Sequence, residues 1–469
     1  MFPSADESFA RTAFPDLDLG DARLNRRFEA VARACLEHPG DSFPDKFHDP
    51  AGYIGCLRLL NHPAVTHGAL LSCHQVAVLD RIERHPGTVL IVHDTTDLDF
   101  SGHRTLADGL GQIGNGGGRG FLCHNSIAVD PQSSSIFGFA SQILHCRPVV
   151  DKKEPVAAKR QRADRESRLW LRALDEIGPA PAENRWVHVA DRGADIFEFL
   201  QALTDRGERF VIRSTHNRAL ELAEGEEDKP HLLHDYMRSL PPEATWAVEV
   251  GATPKRQART ALVCSSTRRL TVRPPHVRKG EYRREVLTLT VVRVWEQSPP
   301  EGEEALEWLL LTGEEEAEGE DKGALGRRVA FWYSRRWVVE DLHKGMKTGA
   351  GVEKPQLQDV ESLKAAIALL SVVAVALVNL RIAARDEEKA KEPAARYVPR
   401  LWVKVLSIWR HKGERDLSVR EFTLALARLG GHLNRKSDGL PGWLTLWRGW
   451  ERLHTMLEYE SSRARCVQQ

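Results

Sequence analysis

The stretch Trp332–Lys347 reads WYSRRWVVEDLHKGMK and carries Tyr333, Arg336, Glu340 and Lys347 at a regular spacing. At about 100° of rotation per residue, these four positions fall within roughly 60° of one another on a helix. The spacing therefore predicts one amphipathic helix, with a phenol, a guanidinium, a carboxylate and an amine on the same face.

The opposite face of this predicted helix is apolar and carries Phe331, Val338, Leu342 and Met346. The polar face spans about 21 Å at 1.5 Å per residue, long enough to follow several phosphates of a nucleic-acid strand. A carboxylate between phosphate-binding cations suits metal-assisted phosphoryl chemistry. A solvated face with an ion pair between Arg336 and Glu340 explains the same pattern. The helix alone leaves both interpretations open.

Composition limits the possible classes of protein. The 469 residues contain 66 Lys plus Arg and 66 Asp plus Glu, so nucleic-acid binding would have to come from local clusters of charge. The seven cysteines are scattered and fit free thiols in a reducing cytoplasm better than a disulfide framework or a zinc site. No signal pattern opens the chain, and the longest uncharged run, Ala365–Leu380, has 16 residues, too few to span a membrane. We expect a cytoplasmic protein with no membrane partner.

The first 75 residues alternate helical pieces with helix breakers. Asp21–Cys35 predicts a helix with Arg26 and Arg27 outside its apolar stripe, and a second helix, around Ala51–Leu60, carries Arg58. Small helical domains with arginines on one side often bind DNA, so these three arginines are DNA-binding candidates. A solvated basic face is the alternative.

Two buried strands are each followed by a carboxylate. TVLIVHD ends on Asp94 and WVHVAD ends on Asp191, while a third strand, RFVIRS, is closed by Arg213. Active sites of open α/β sheets lie at the carboxyl ends of the strands. If Glu340 converges with both aspartates, a divalent metal would relieve their repulsion, and oxygen ligands favour Mg²⁺ or Mn²⁺.

Two neighbouring motifs receive structural interpretations. Asp195 is expected to cap the helix that begins near Gly193. The glycine-dense run 109–120 lacks the lysine of a phosphate loop and predicts a hairpin or mobile loop.

An all-β stretch, roughly 246–312, separates these strands from the helix predicted over 332–347. From Lys255 to Arg284 it holds ten Lys plus Arg against one acid, which suggests a polyanion as partner. The acidic run 314–323 is expected to be a solvated linker. Beyond the helix predicted over 332–347, the run Glu361–Ala384 predicts a buried helix.

The aromatic-rich tail, 401–459, is predicted to be helical, and its part around Leu424–Leu457 is predicted to contact a second copy of the chain. This expectation rests on Phe422, Leu424, Leu426, Leu429, Trp443, Trp447 and Trp450.

The Y-x2-R-x3-E-x6-K spacing, HDTT at 93–96 and ADRGADI at 190–196 resemble the DDE cut-and-paste transposases of the bacterial insertion-sequence-four family. The resemblance extends through LGDARLNRR, RFVIRS, EWLLLTGE, HKGMKTGAG and ARLGGHLNRKSDG, and so covers nearly the whole chain.

The resemblance implies an α/β fold with an RNase H-like catalytic core. That core would span 76–385 and be interrupted by an inserted β-strand domain at about 240–312. An N-terminal helical DNA-binding domain would span 1–75, and a C-terminal helical dimerisation domain 386–469.

The resemblance also implies an activity. Asp94, Asp191 and Glu340 match a catalytic triad that holds two Mg²⁺ ions, for which Mn²⁺ can substitute. Water and then a freed 3′-hydroxyl would attack phosphorus, through a hairpin intermediate, before the ends join target DNA. The implied partners are double-stranded DNA, both transposon ends and target, and a second copy of the chain in the synaptic complex. The implied location is the bacterial nucleoid.

Further residues match DNA contacts of the family. Tyr333, Arg336 and Lys347 match residues that grip phosphates, and Trp308 matches a tryptophan that stacks on a flipped base. Without the resemblance, Trp308 would be interpreted as a core aromatic of a strand.

Two alternative functions remain open at this point. A catalytically silent, domesticated transposase would act as a DNA-binding regulator, although the intact carboxylates argue against decay. A metal-dependent nuclease without strand transfer would share the same metal chemistry.

Overall fold

The structure, a computed structural model, describes residues 9–467 except 48, 104–105, 107, 149–153, 156–157, 159–161, 182–184, 223, 226–227, 252–256, 276–281, 322 and 436–440. The chain divides into two compact units. The helical unit comprises Met1–His85, Thr95–Asp164 and Val338–Gln469, and the strand unit comprises Pro86–Asp94 and Arg165–Trp337. These units do not follow the boundaries expected at 75 and 385, and the three-domain layout stays a prediction.

Helices form most of the helical unit. In chain order, the described α-helices of the whole chain are α1 (Phe9–Ala13), α2 (Ala22–Glu37), α3 (Phe43–Lys46), α4 (Pro50–Leu60), α5 (His67–Glu83), α6 (Leu169–Ile177), α7 (Phe197–Asp205), α8 (Leu233–Ser239), α9 (Ala324–Ser334), α10 (Trp337–Lys344), α11 (Val360–Arg385), α12 (Arg400–His411), α13 (Val419–Leu429) and α14 (Trp443–Val467). Shorter 3₁₀ turns are Glu166–Arg168, Arg192–Ala194, Lys389–Lys391 and Ala394–Arg396, and Gly345–Gly349 is a π-helical segment.

The strands form a large mixed sheet. They are β1 (Val89–Asp99), β2 (Gly111–Gln112), β3 (Arg119–Val129), β4 (Ile136–His145), β5 (Trp186–Ala190), β6 (Arg209–Arg213), β7 (Leu220–Glu221), β8 (Ala244–Val250), β9 (Arg259–Val272), β10 (Leu287–Glu296) and β11 (Glu307–Thr312).

In the strand unit, the first part of β1 pairs in parallel with β5, and β5 pairs in parallel with β6. The sheet continues antiparallel through β11, β10 and β9, while β7 and β8 pair with β9. The strands of the 246–312 stretch therefore extend the same sheet as β5 and β6. Within that stretch, β9 is one long strand of 14 residues.

The two faces of this sheet carry different helices. On one face, α6, α7 and α8 bury a core that includes Phe199, Tyr236 and Leu311. On the other face, α9 packs over β5, β6, β9, β10 and β11. Gly326 allows this approach, because a Cβ there would lie 2.7 Å from the Ser265 Oγ.

In the helical unit, the second part of β1, β2, β3 and β4 form the strands, and α5 and α11 pack against β4. The glycine-dense run 109–120 forms the hairpin between β2 and β3, in agreement with one of its two interpretations. The predicted strand ending on Asp94 is wrong in length, because β1 continues through Asp99.

The predicted buried helix is confirmed as α11, which Asp359 caps by accepting a hydrogen bond from the Ser362 N–H. Among the described helices, α11 alone is long and apolar enough to cross a membrane. However, 94% of its most apolar window is buried inside the protein, as in the core helix of a soluble protein, so this is weak evidence for a membrane span.

The apolar tail residues have a different role from the expected one. Phe422, Leu426, Leu429, Trp447 and Trp450 are buried within the helical unit itself. The three tail helices α12, α13 and α14 pack on one another, and α13 packs on α11. These side chains therefore stabilise the chain's own core, and they do not form an exposed surface for a second copy.

Candidate active site

The two predicted aspartates follow paired positions of neighbouring strands. In the β1–β5 ladder the last pair is His93 with Ala190, and Asp94 and Asp191 come next on their strands. Neighbouring strands lie about 4.8 Å apart. The backbones at the two aspartates are therefore neighbours at the carboxyl end of β5.

Both aspartates point away from the core under α6–α8. Side chains alternate along a strand, and Ala190 belongs to that core while the His93 ring contacts Phe199 within it. Asp94 and Asp191 therefore face the side of the sheet that α9 covers.

The same alternation brings two more predicted residues to this face. Ile212 and Leu309 belong to the opposite core, so Arg213 and Trp308 beside them point toward α9. The Arg213 Nη2 donates a hydrogen bond to the Glu307 carbonyl, 3.2 Å away, which ties its side chain to β11.

Arg336 is the cation beside Asp94. Its Nη1 lies 3.3 Å from the Asp94 Oδ2, and both side chains are 19% exposed. The predicted alternative, an ion pair between Arg336 and Glu340, stays a prediction. The two residues do not lie on one continuous helix, because Ser334 ends α9 and α10 begins at Trp337.

The break at Ser334–Arg336 is a tight turn. The Arg335 and Arg336 N–H groups donate to the Trp332 and Tyr333 carbonyls, three residues back. The chain after α10 then widens into the π-helical segment Gly345–Gly349. The single helix expected over 332–347 is therefore wrong. Three helical pieces carry Tyr333, Glu340 and Lys347, and Arg336 lies in the turn between the first two pieces. The opposite apolar side is confirmed at Val338, Leu342 and Met346, which are buried.

Tyr333 links the predicted aromatic and basic residues. Its ring meets the Trp308 ring edge to face, with centroids 5.0 Å apart. Burial raises the pKa of Tyr333, and the positive charges of Arg336 and Arg213 partly offset this rise. Only 4% of Tyr333 is exposed. The phenol therefore stays neutral at pH 7 and keeps a hydroxyl that can donate a hydrogen bond.

Glu340 and Lys347 belong to the helical unit. Glu340 is exposed in the first turn of α10, and the Lys347 side chain, in the π-helical segment, is 33% exposed with its Nζ 3.8 Å from Glu353. Within the described residues, no three His, Cys, Asp or Glu side chains form a group that could hold a metal ion. The three-carboxylate site stays a prediction.

The two aspartates fit Mg²⁺ by their chemistry. Carboxylate oxygens are the ligands that Mg²⁺ prefers. The Arg336 guanidinium pairs with Asp94, so a metal ion would share this carboxylate with Arg336. The Asp191 Oδ1 accepts a hydrogen bond from the Gly193 N–H at 2.8 Å, which fixes the orientation of that carboxylate.

A buried polar chain lies beneath the aspartates and was not expected. The His93 Nε2 is 2.8 Å from the His188 Nδ1, and the His188 Nε2 is 3.8 Å from the Glu208 Oε2. Both histidines are fully buried. Their signal in the sequence is one histidine inside each of two apolar strands, LIVHD and WVHVAD.

Asp195 does not cap a helix, so that prediction is wrong. It is 1% exposed, and its carboxylate accepts hydrogen bonds from the Thr215 and His216 N–H groups, at 2.7 and 2.8 Å, and pairs with Arg218. The residue that caps the 3₁₀ turn after β5 is Asp191. Asp195 therefore orders the loop that follows Arg213.

The three N-terminal arginines lie where the sequence predicts. Arg26, Arg27 and Arg58 are exposed on α2 and α4. Gly55 makes room for one of them, because a Cβ there would lie 2.4 Å from the Arg27 Nη1. This glycine allows the guanidinium to lie against α4.

Five basic residues in the stretch after Lys255 pair with acids from elsewhere in the chain, so these five do not present the free positive charge expected of a polyanion site. Lys255, Arg256, Arg278 and Lys279 lie outside the described residues, and Arg283 is exposed. The ion pairs are Arg259 with Glu296 and Glu303, Arg268 with Glu243, Arg269 with Glu315, Arg273 with Glu221, and Arg284 with Asp205.

The acidic run 314–323 takes part in this neutralisation. Besides Glu315, Glu314 pairs with Arg209 and Glu320 pairs with Arg328. These pairs anchor the run to the strand unit, while residues 315–319 are exposed, in agreement with a solvated loop.

Two comparisons with known proteins bear on this site. Residues 6–65 match a protein family described as transposase DNA-binding. This chain is also similar to a chain in a cryo-EM structure of the piggyBac transposase synaptic complex with hairpin DNA. The match covers 91% of this chain and 82% of that chain, at 10% sequence identity and a TM-score of 0.39. At that TM-score the likeness supports no conclusion about this chain. The family match supports DNA as a partner of the N-terminal region.

Proposed function

We propose that the protein is a DNA transposase of the insertion-sequence-four family that resembles the transposase of the composite kanamycin-resistance transposon. It would cleave transposon ends and join their 3′-hydroxyls to target DNA. The observation that carries the proposal is the pairing of β1 with β5, which sets Asp94 and Asp191 directly after a paired position of neighbouring strands. The Arg336 guanidinium lies 3.3 Å from the Asp94 carboxylate. The match of residues 6–65 to transposase DNA-binding domains supports it independently.

Asp94 and Asp191 are the residues that would hold magnesium, or manganese in its place, with Glu340 as the proposed third ligand. Two such ions activate the attacking oxygen and stabilise the leaving oxygen during in-line displacement at phosphorus. The Gly193 N–H orients Asp191 for this role. Arg336 holds Asp94 in place and adds positive charge for a phosphate.

The remaining residues would hold the DNA. Arg213 and Lys347 supply positive charge for phosphates, and the neutral phenol of Tyr333 supplies a hydrogen-bond donor. Trp308 would stack on a base flipped out of the duplex when the 3′-hydroxyl attacks the opposite strand to form a hairpin. Its ring is half-buried against Tyr333, so one aromatic surface is already oriented.

We propose further that two copies pair in the synaptic complex through the tail. The support is an apolar groove of about 540 Å³ between α12 and α14. Leu401, Ile408, Trp409 and Tyr459 line it and are 39–67% exposed. Exposed apolar patches of this kind often mark a protein contact.

We propose a cytoplasmic, nucleoid-associated location. Six of the seven cysteines are free thiols, which suits a reducing compartment.

The proposal is tested with magnesium and DNA that carries the terminal repeats flanking the protein's own coding sequence. We expect nicked ends, hairpins and joined products, all abolished by a chelator. A gel shift without cleavage would favour the DNA-binding regulator, and cleavage without joining would favour a nuclease. Either result would contradict the transposase proposal.

A further inference from the structure

The π-helical segment Gly345–Gly349 carries Lys347 outward and Met346 inward. The Ala350 N–H donates to the Gly345 carbonyl at 2.7 Å, five residues back, which is the π-helical pattern. Met346 is fully buried, while the Lys347 side chain is 33% exposed. Because π-helical turns are rare and frequently lie at functional sites, this one requires an explanation.

The two ends of the segment are glycines packed against other helices. A Cβ on Gly349 would lie 2.2 Å from the Trp447 Cζ2. A Cβ on Gly345 would lie 2.6 Å from the Val378 Cγ2 and 3.8 Å from the Trp443 Cη2. At Gly349 the clash would be with a rigid ring that is 6% exposed, so even one methyl group there must displace the segment or the ring.

The two tryptophans form part of a larger buried assembly. Their rings stack with centroids 5.6 Å apart at an interplanar angle of 16°. The Arg381 guanidinium lies over the Trp443 ring, 4.6 Å from its centroid, and also pairs with the Asp341 carboxylate. Asp341 directly follows Glu340 in α10. The assembly thus contacts Asp341 next to Glu340, and Gly345 and Gly349 on either side of Lys347.

We propose that Trp443 and Trp447 are positioning residues that fix the π-helical segment and thereby the place of Lys347 relative to Glu340. This inference rests on the proposed function. It gives the tail helix α14 a role in end cleavage that is separate from pairing two copies. A displacement of about 1 Å in a catalytic arrangement can lower a rate on the order of 100-fold.

The test uses the full-length chain with Gly349→Ala, the double variant Gly349→Ala/Trp447→Leu, and Gly442→Ala as control, since a Cβ on Gly442 meets nothing within 4 Å. We expect Gly349→Ala to lower kcat for end cleavage on the order of 100-fold. Its Kd for end DNA should be nearly unchanged. The smaller leucine should restore much of the rate, and the control should match the wild type. A wild-type rate in Gly349→Ala would overturn the proposal.

A second variant decides the matter if Gly349→Ala does not fold. Trp447→Phe introduces no clash but loosens the packing on Gly349, so a lowered kcat with unchanged DNA binding supports the positioning role. An unchanged kcat contradicts it.

A readout without catalysis separates this inference from the proposed function. An amine-reactive ester modifies Lys347, and peptide mass spectrometry measures the extent of modification relative to Lys364. The extent of Lys347 modification should rise in Gly349→Ala and return to the wild-type level in the double variant. If the wild type cleaves no DNA but Lys347 labelling changes in this way, the function is wrong and the positioning role stands. Unchanged labelling together with unchanged cleavage would overturn the inference.

Discussion

Trp308 offers the sharpest test of a single DNA contact. Base–aromatic stacking contributes about 1–3 kcal/mol per base, so we expect Trp308→Ala to slow the hairpin step roughly tenfold to hundredfold. The first nick should slow much less. Trp295→Ala is a matched control, because Trp295 lies on the neighbouring strand under Arg293. Time courses of nicked and hairpin products measure both steps, and equal slowing of the two would support a purely structural role.

Asp195 is expected to matter for stability. The Asp195 and Arg218 side chains are 0% and 3% exposed, and removing one partner of a buried pair leaves the other charge uncompensated. We expect Asp195→Asn to lower the free energy of unfolding by about 3–5 kcal/mol in urea titrations. Arg206→Gln, which breaks the exposed pair with Asp175, should cost less than about 1 kcal/mol. A similar small loss for Asp195→Asn would contradict this reading of the buried pair.

At the residue scale, the sequence predicts the two aspartates better than the charges around them. Apolar strands followed by Asp94 and Asp191 suffice to bring both to one place, because parallel neighbours share their carboxyl ends. The contact between Arg336 and Asp94 could not be predicted, since it depends on where α9 stops. The prediction of a polyanion site after Lys255 failed for a related reason. Its acidic partners, such as Glu243 and Glu315, come from elsewhere in the chain.

At the element scale, a buried histidine joins α5 to its neighbours. Burial lowers the pKa of His74 to about 4 from an ordinary 6.5. Its Nδ1 donates to the Ala13 carbonyl at 2.7 Å, and its Nε2 accepts from the Phe139 N–H at 3.2 Å. The neutral ring therefore connects the end of α1 to β4.

This burial predicts a loss of stability in acid. Below about pH 6.5 the unfolded chain binds a proton at His74 that the folded chain does not bind. The contribution to the free energy of unfolding should therefore fall as pH drops from 6.5 to about 4, by at most about 3 kcal/mol. His74→Gln should show a smaller difference between urea titrations at about pH 7.5 and about pH 4.5. An equal pH dependence in both proteins would contradict the assignment.

The stretch 332–347 shows that residue spacing alone does not predict where a helix is interrupted. A regular spacing of Tyr333, Arg336, Glu340 and Lys347 predicts one helix, yet a turn and a π-helical segment interrupt it. Both interruptions depend on tertiary contacts: the turn allows Arg336 to reach Asp94, and the π-helical segment packs against Trp447. By contrast, α11 was predicted correctly because its apolar run is long enough to specify a buried helix by itself.

At the scale of the whole molecule, the tail groove is expected to control pairing. Truncation near residue 400 would also remove Trp447 from Gly349, so a surface substitution is the cleaner test. Ile408 is 45% exposed, and Ile408→Glu should still bind one DNA end but fail to pair two. Val76→Glu, at a site 68% exposed on α5, is the control. Gel shifts that separate single-end from paired-end complexes measure the pairing. Normal pairing by Ile408→Glu would show that the groove does not hold two copies together.

The most direct test of the central claim compares Asp94→Asn, Asp191→Asn and Glu340→Gln with Asp97→Asn, a change of another acid on β1. Each assay combines a gel-shift titration with a magnesium cleavage time course on the same end DNA. Metal-based stabilisation amounts to several kcal/mol, so cleavage by the first three variants should fall on the order of 1,000-fold or more while binding is kept. Asp97→Asn should cleave like the wild type. Cleavage retained by any of the first three variants would contradict the three-carboxylate mechanism.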